Sequence, residues 1–113
     1  IKKNHLKDTV TLMGKLPRNK VLEKMSESRI LLHTSNYESF GFVYAEALYC
    51  GMKIVSNNVG FTKSIPEWYI CSNFDCFVKS CMEIMDQAEY RKKRIQLNEV
   101  KNTLDCYILL YEL

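Results

Sequence analysis

At 113 residues, 47% of them hydrophobic and 26% charged, the chain is sized for a single globular domain spanning residues 1–113. Its net charge of +3 is mild, and the densest basic patch, Arg91-Lys92-Lys93-Arg94, has no interleaved aromatic residues; it reads as the solvated face of a helix in preference to a nucleic-acid site, and no nucleic-acid partner is expected. No run approaches the ~18 apolar residues of a membrane span, and no charged-then-apolar leader opens the chain, so the expectation is a cytoplasmic protein.

Ile1 stands where a methionine would open a complete chain, which leads to the expectation that the parent begins upstream. Five cysteines, at 50, 71, 76, 81 and 106, form no close C-x2-C pair. The five-residue spacing of Cys71, Cys76 and Cys81 suits neither a zinc ribbon nor one helix face, so reduced thiols and no metal are expected.

In chain order, Ile1 to Asp8 reads as a polar lead-in. Thr9 to Gly14 (TVTLMG) alternates like a short strand ending on glycine. Leu16-Pro17 opens a turn, and Arg18 to Ser28 predicts a helix with Val21, Leu22 and Met25 inward. Ile30 to Ser35 (ILLHTS) is an apolar run ending in small polar residues, as in a buried strand leaving a sheet, and His33 reads as a packing residue at its end. Asn36 to Gly41 is a turn. From Phe42 a helix follows with Val43, Ala47 and Leu48 on one face, Ser39 as its N-cap and Gly51 as its left-handed terminator.

Lys53 to Ser56 is a strand and Asn57 to Gly60 a turn. From Pro66 onward the pattern is helical, with Phe74, Phe77, Val78, Cys81, Ile84 and Met85 predicted to face the core. Ala88 to Val100 reads as a charged helix, and a last helix carries Leu104, Tyr107, Ile108 and Tyr111. Alternating strands and helices imply a Rossmann-like parallel sheet with flanking helices. Its carboxyl edge would gather the Gly14, Asn36 to Gly41 and Asn57 to Thr62 loops around one ligand.

Glu38 and Glu46 bracket the central turn with seven residues between them. Eight helical positions rotate about 80° past whole turns, so Glu38 belongs to the loop and Glu46 to the helix. Between them lies a helix N-terminus, whose free N–H groups and dipole favour an anion such as phosphate. Carboxylates repel phosphate but accept hydrogen bonds from hydroxyls. A ligand with phosphate in its middle and hydroxyl-bearing rings at both ends fits that arrangement, which describes a nucleotide sugar.

The run ESFGFVYAEALYCG followed by MKIVSNNVG resembles the Glu-x7-Glu motif of the retaining GT-B glycosyltransferases called family 4 or group 1. Glu38, Phe40, Gly41, Glu46, Ala47, Cys50, Gly51 and Gly60 fall on the family pattern, and the close likeness runs from about Val10 to Gly60. Beyond it the family's second glycine is Phe61 here, and its glutamate three residues later is Ser64.

The resemblance implies a partial GT-B donor domain. In it Glu38 would meet donor-sugar hydroxyls beside the reacting carbon, as the catalytic residue, and Glu46 would accept from the ribose. The Phe40, Gly41, Phe42 and Val43 backbone would face the diphosphate, Gly14, Lys15 and Leu16 would lie near the nucleobase, and Ser39, Gly60 and Phe61 would be further donor-binding residues. It further implies a nucleoside-diphosphate-sugar donor, no metal or other cofactor, and a glycan or lipid acceptor held by an N-terminal domain outside this chain. The parent could then lie peripherally on a membrane. Nothing in the chain matches the family's arginine and lysine that neutralise the diphosphate.

The family's strand order places two further strands between the Thr9 to Gly14 and Ile30 to Ser35 strands. The first is therefore expected to move beside the second or to pair with another copy of the chain. Two other classes remain open at this stage: a non-catalytic α/β binding or assembly module, and a nucleic-acid binder using Arg91 to Arg94.

Overall fold

The computed structural model describes residues 3–38, 41–60, 62 and 64–87. Its elements are α1 (Arg18–Glu27), β1 (Ile30–His33), α2 (Phe42–Tyr49), β2 (Lys53–Ser56), β3 (Trp68–Ile70) and α3 (Phe74–Met85). The strands form a parallel sheet in the order β1-β2-β3. Leu31 pairs with Ile54 and His33 with Ser56, while Ile54 pairs with Trp68 and Ser56 with Ile70. This is a small, partial Rossmann-like α/β arrangement.

The period-two alternation of each strand builds three layers. Leu31, Ile54 and Trp68 share one face with Leu22 and Met25 of α1 and Val43, Tyr44, Ala47 and Leu48 of α2. Ile30, Val55 and Tyr69 share the other with Phe77, Cys81 and Ile84 of α3. Arg29 Nη2 donates to Ile84 O at 3.1 Å, and Lys53 Nζ to Gln87 Oε1, tying the sheet's amino edge to the end of α3.

α2 is more enclosed than a surface helix. Tyr44, Ala45, Ala47 and Leu48 are all buried, so its apolar surface wraps well beyond the stripe of Val43, Ala47 and Leu48. It ends as predicted: Gly51 has φ +81°, its N–H donates to Leu48 O, and Met52 N–H donates to Ala47 O, the paired bonds of a Schellman cap. Its start differs from expectation. The N-cap position is Gly41, left-handed at φ +89°, with no side-chain cap bond, and the predicted cap Ser39 lies outside the described residues.

Four other expectations are corrected. Residues 9–14 form no strand and pair with neither β1 nor any other strand among the described residues; Val10, Leu12 and Met13 are exposed. Strand alternation alone does not make a strand where the neighbour that would complete its ladder is lacking. The stretch after Pro66 is not helical at once, because Trp68–Ile70 adds β3 to the sheet by pairing with β2 before Asn73 caps α3 through Cys76 N–H.

The core face of α3 is carried by Phe77, Ser80, Cys81 and Ile84, whereas Phe74, Val78 and Met85 are exposed. Among the described residues the sheet has three strands, and the strip of α3 that is covered is the one over Ile30, Val55 and Tyr69. Finally, Cys71 and Cys76 are joined as a disulfide, where reduced thiols were expected. Cys71 ends β3 and Cys76 lies in the first turn of α3, so the tight connection brings two thiols together that the spacing rules for zinc sites do not describe. Cys50 and Cys81 are free. The helices predicted over 88–111 lie outside the described residues.

Candidate functional site

Parallel strands carry their loops on the carboxyl edge, and here that edge is stitched together by one side chain. Asn57, just past β2, donates from Nδ2 to Thr34 O and Ser35 O at 3.0 Å each, fixing the β2 loop against the β1–α2 loop. Two of the three loops predicted to converge are thereby joined. Thr62 Oγ1 donates to Asn58 Oδ1 at 2.6 Å within the β2 loop.

Beneath the joined loops runs a buried polar chain. His33 and Ser56 occupy paired positions on the α2 side of the sheet, directly under Tyr44. The Tyr44 hydroxyl lies 3.0 Å from His33 Nδ1. Trp68 Nε1–H donates to Ser56 Oγ at 2.9 Å, and the Ser56 hydroxyl donates to Asn57 O at 2.9 Å. The Tyr44 ring meets His33 edge-on, with centroids 5.0 Å apart, and Trp68 at a tilt, 4.8 Å apart. Burial pushes the Tyr44 phenol above its ordinary pKa, with the Ser56 hydrogen bond pulling the other way and the Glu38 charge adding to the rise. Tyr44 is thus a neutral hydrogen-bonding strut throughout the physiological range.

On the other side of His33, Nε2 stands 3.6 Å from Glu38 Oε2, within ion-pair range and too long for a hydrogen bond. Glu38 is in the loop, as its spacing from Glu46 required, and it stands over the α2 N-terminus: a Cβ built on Gly41 would lie 3.2 Å from Glu38 Cγ. Glu46, on the second turn of α2, is only 13% exposed and takes a 2.8 Å ion pair from Arg18 Nη2 at the start of α1.

The structure therefore gathers Glu38, Gly41, Phe42, Val43 and Glu46 about one helix end. Lys15 and Leu16 lead into α1, and Gly14, at φ +65°, has open space around it; this segment is linked to the site through Arg18. Gly60 is exposed at φ +69° in the β2 loop. Ser39, Phe40 and Phe61 lie outside the described residues.

Sequence reading missed three participants. By sequence Arg18 reads only as a helix start, although it is a cation at the Glu46 carboxylate. His33 reads as packing alone, although its ring links Tyr44 to Glu38. Asn57 reads as turn-forming, although it is the clasp between two loops. Only Asn57 gives a local signal, a short amide directly after a buried strand; the other two depend on pairings across 28 and 5 residues that no spacing rule supplies.

Comparison with known proteins adds a family to this geometry. Residues 1–103 match the family described as Glycosyl transferases group 1. The GPI3 subunit of phosphatidylinositol N-acetylglucosaminyltransferase from Saccharomyces cerevisiae is 37% identical over 67 residues, 59% of this chain and 14% of that protein. N-acetyl-alpha-D-glucosaminyl L-malate synthase of Bacillus anthracis is 33% identical over 90 residues, covering 78% of this chain and 22% of the synthase. A phosphatidylinositol N-acetylglucosaminyltransferase component from Homo sapiens is 31% identical over 88 residues, 78% of this chain and 18% of that protein. The chain thus spans between 14% and 22% of the length of these relatives. No solved structure matches it. With the match covering nearly its whole length, the chain belongs to the glycosyl transferases group 1 family.

Proposed function

We propose that this chain is the nucleotide-sugar-binding part of a retaining glycosyltransferase, and that the sugar transferred is an N-acetylglucosaminyl group. The observation that carries the reading is the placement of Glu38 over the α2 N-terminus and of Glu46 on the flank of the same helix, in a chain of the group 1 family. A helix N-terminus suits the diphosphate, and carboxylates on either side suit the hydroxyls of ribose and sugar. The relatives named above support the choice of sugar, since each name contains N-acetylglucosaminyl or glucosaminyl transfer or synthesis, while their acceptors differ.

In this reading no metal takes part, and the protein works in the cytoplasm or on a membrane's cytoplasmic face. The 113-residue chain binds donor without transferring sugar by itself, because the glycan or lipid acceptor is held by a separate domain of a longer parent.

The test is calorimetric titration of the chain with nucleoside diphosphates, followed by turnover assays of the parent with N-acetylglucosaminyl donors. Heat of binding without turnover by the 113-residue chain is the expected pair of results. Turnover by the chain alone would remove the claim of a separate acceptor domain, and no binding of any diphosphate would remove the donor-site reading itself.

The same reading predicts the behaviour of Glu46→Ala in the parent. A ribose held equally in the ground and transition states gives a uniform loss, so donor KM should rise by the equivalent of about 1.5–3 kcal/mol with kcat little changed. Folding stability should move much less, because the Arg18 left behind is 55% exposed and can return to water. Initial-rate kinetics under saturating acceptor, with a thermal melt alongside, separate the two effects.

A further inference from the structure

The Arg18–Glu46 pair is unequal in a way that suggests which partner moves. Glu46 is held on a buried helix, with its side chain 13% exposed, whereas the Arg18 side chain is 55% exposed. Arg18 is also the first residue of α1, follows Pro17, and has no acidic residue beside it in that first turn. A cation at a helix N-terminus faces the unfavourable end of the dipole, so α1 itself gives Arg18 no reason to stay. Its 2.8 Å contact with Glu46 Oε1 is what holds it in place.

We propose that Arg18 is a swinging cation of the donor site, and the proposal rests on the donor-site reading above. Without ligand its guanidinium occupies one oxygen of Glu46, so a ribose diol that needs both oxygens must displace it. Once displaced, the guanidinium stands beside a bound diphosphate and takes a phosphate oxygen in exchange for the carboxylate. Arg18 thereby acts as a selector. A nucleoside must break the ion pair and returns nothing to Arg18, while a nucleoside diphosphate breaks it and re-forms a charge-assisted contact. The ion pair reduces the fraction of protein ready for ribose, which weakens apparent affinity for every ribose ligand, and only the phosphorylated ones recover the loss.

The experiment compares wild-type chain with Arg18→Gln in titrations of uridine, adenosine and guanosine, each against its own 5′-diphosphate. For the base that binds, the substitution should tighten the nucleoside about two- to five-fold, the worth of an exposed ion pair, and weaken the diphosphate about ten-fold, the worth of a charged hydrogen bond. Opposite movement of the two ligands is the signature, and a merely structural role for Arg18 would move both the same way. Equal shifts, or none, would overturn the proposal while leaving the donor site intact. If the wild-type chain binds no diphosphate, the donor-site reading fails and this proposal falls with it. A second measurement needs no variant: in wild-type protein the preference for diphosphate over nucleoside should shrink as ionic strength rises, and a preference indifferent to salt would also overturn the proposal.

Discussion

Glu38→Gln in the parent enzyme should lower kcat by roughly 10²–10³-fold and leave donor KM close to wild type, the loss expected when one preorganised electrostatic contact to a developing charge is removed. In a retaining transfer, positive character builds on the sugar carbon as the diphosphate departs. A fixed carboxylate nearby stabilises that state more than it stabilises the bound donor. In the reading proposed above, Glu38 is such a carboxylate. It leans over the helix end proposed to take the diphosphate, and His33, itself held by Tyr44, stands 3.6 Å from it. Glutamine keeps the shape and removes the charge, so the variant isolates electrostatics from packing. Steady-state rates at saturating donor and acceptor give the answer, and a Glu38→Gln enzyme with wild-type kcat would show that the carboxylate has no part in the chemical step.

Gly41→Ala should destabilise the fold by about 2–5 kcal/mol, through two additive causes. The left-handed backbone at φ +89° disfavours any Cβ by about 1–2 kcal/mol. That Cβ would also lie 2.6 Å from Tyr44 Cδ2 and 2.7 Å from Cε2, and the Tyr44 ring, wholly buried between His33 and Trp68, has nowhere to retreat; overpacking of this kind costs about 1–3 kcal/mol. Gly14→Ala serves as the control, since Gly14 has φ +65° but no atom within 4 Å of a built Cβ. It should show the backbone part alone. Urea unfolding of both variants, read as midpoint shifts at constant slope, separates strain from collision. Equal losses at the two positions would mean that the Tyr44 ring yields to the new methyl group.

Elements whose signals are local were legible in the sequence. β2 was placed from Lys53 to Ser56 because a short apolar run sits between a helix-ending glycine and an asparagine, and the terminator Gly51 followed from the same rule. α1 followed from the spacing of Leu22 and Met25, although Val21, also predicted inward, is exposed. β3 was missed because Trp68–Ile70 is three residues long, too short to show a period, and exists by pairing with β2. Residues 9–14 failed in the opposite sense: their alternation is clear, but alternation describes a surface for pairing and does not supply the partner.

At the site, the loop position of Glu38 and the helical position of Glu46 could be worked out from their separation. The company they keep could not. Arg18, His33 and Asn57 reach their partners because α1 and α2 share one face of the sheet and the strand ends align, which is tertiary information.

Trp68 is the chain's sole tryptophan, and its surroundings make it an optical reporter on the molecule's own site. The residue is 5% exposed, its indole N–H is bonded to Ser56, and its ring packs against the tyrosine that bears on His33. Emission from one indole thus registers the integrity of the core and, through Tyr44 and His33, the setting of the loop that carries Glu38. Binding of a nucleoside diphosphate at the proposed site is expected to change this emission, which a titration read by intrinsic fluorescence checks with no label attached to the protein.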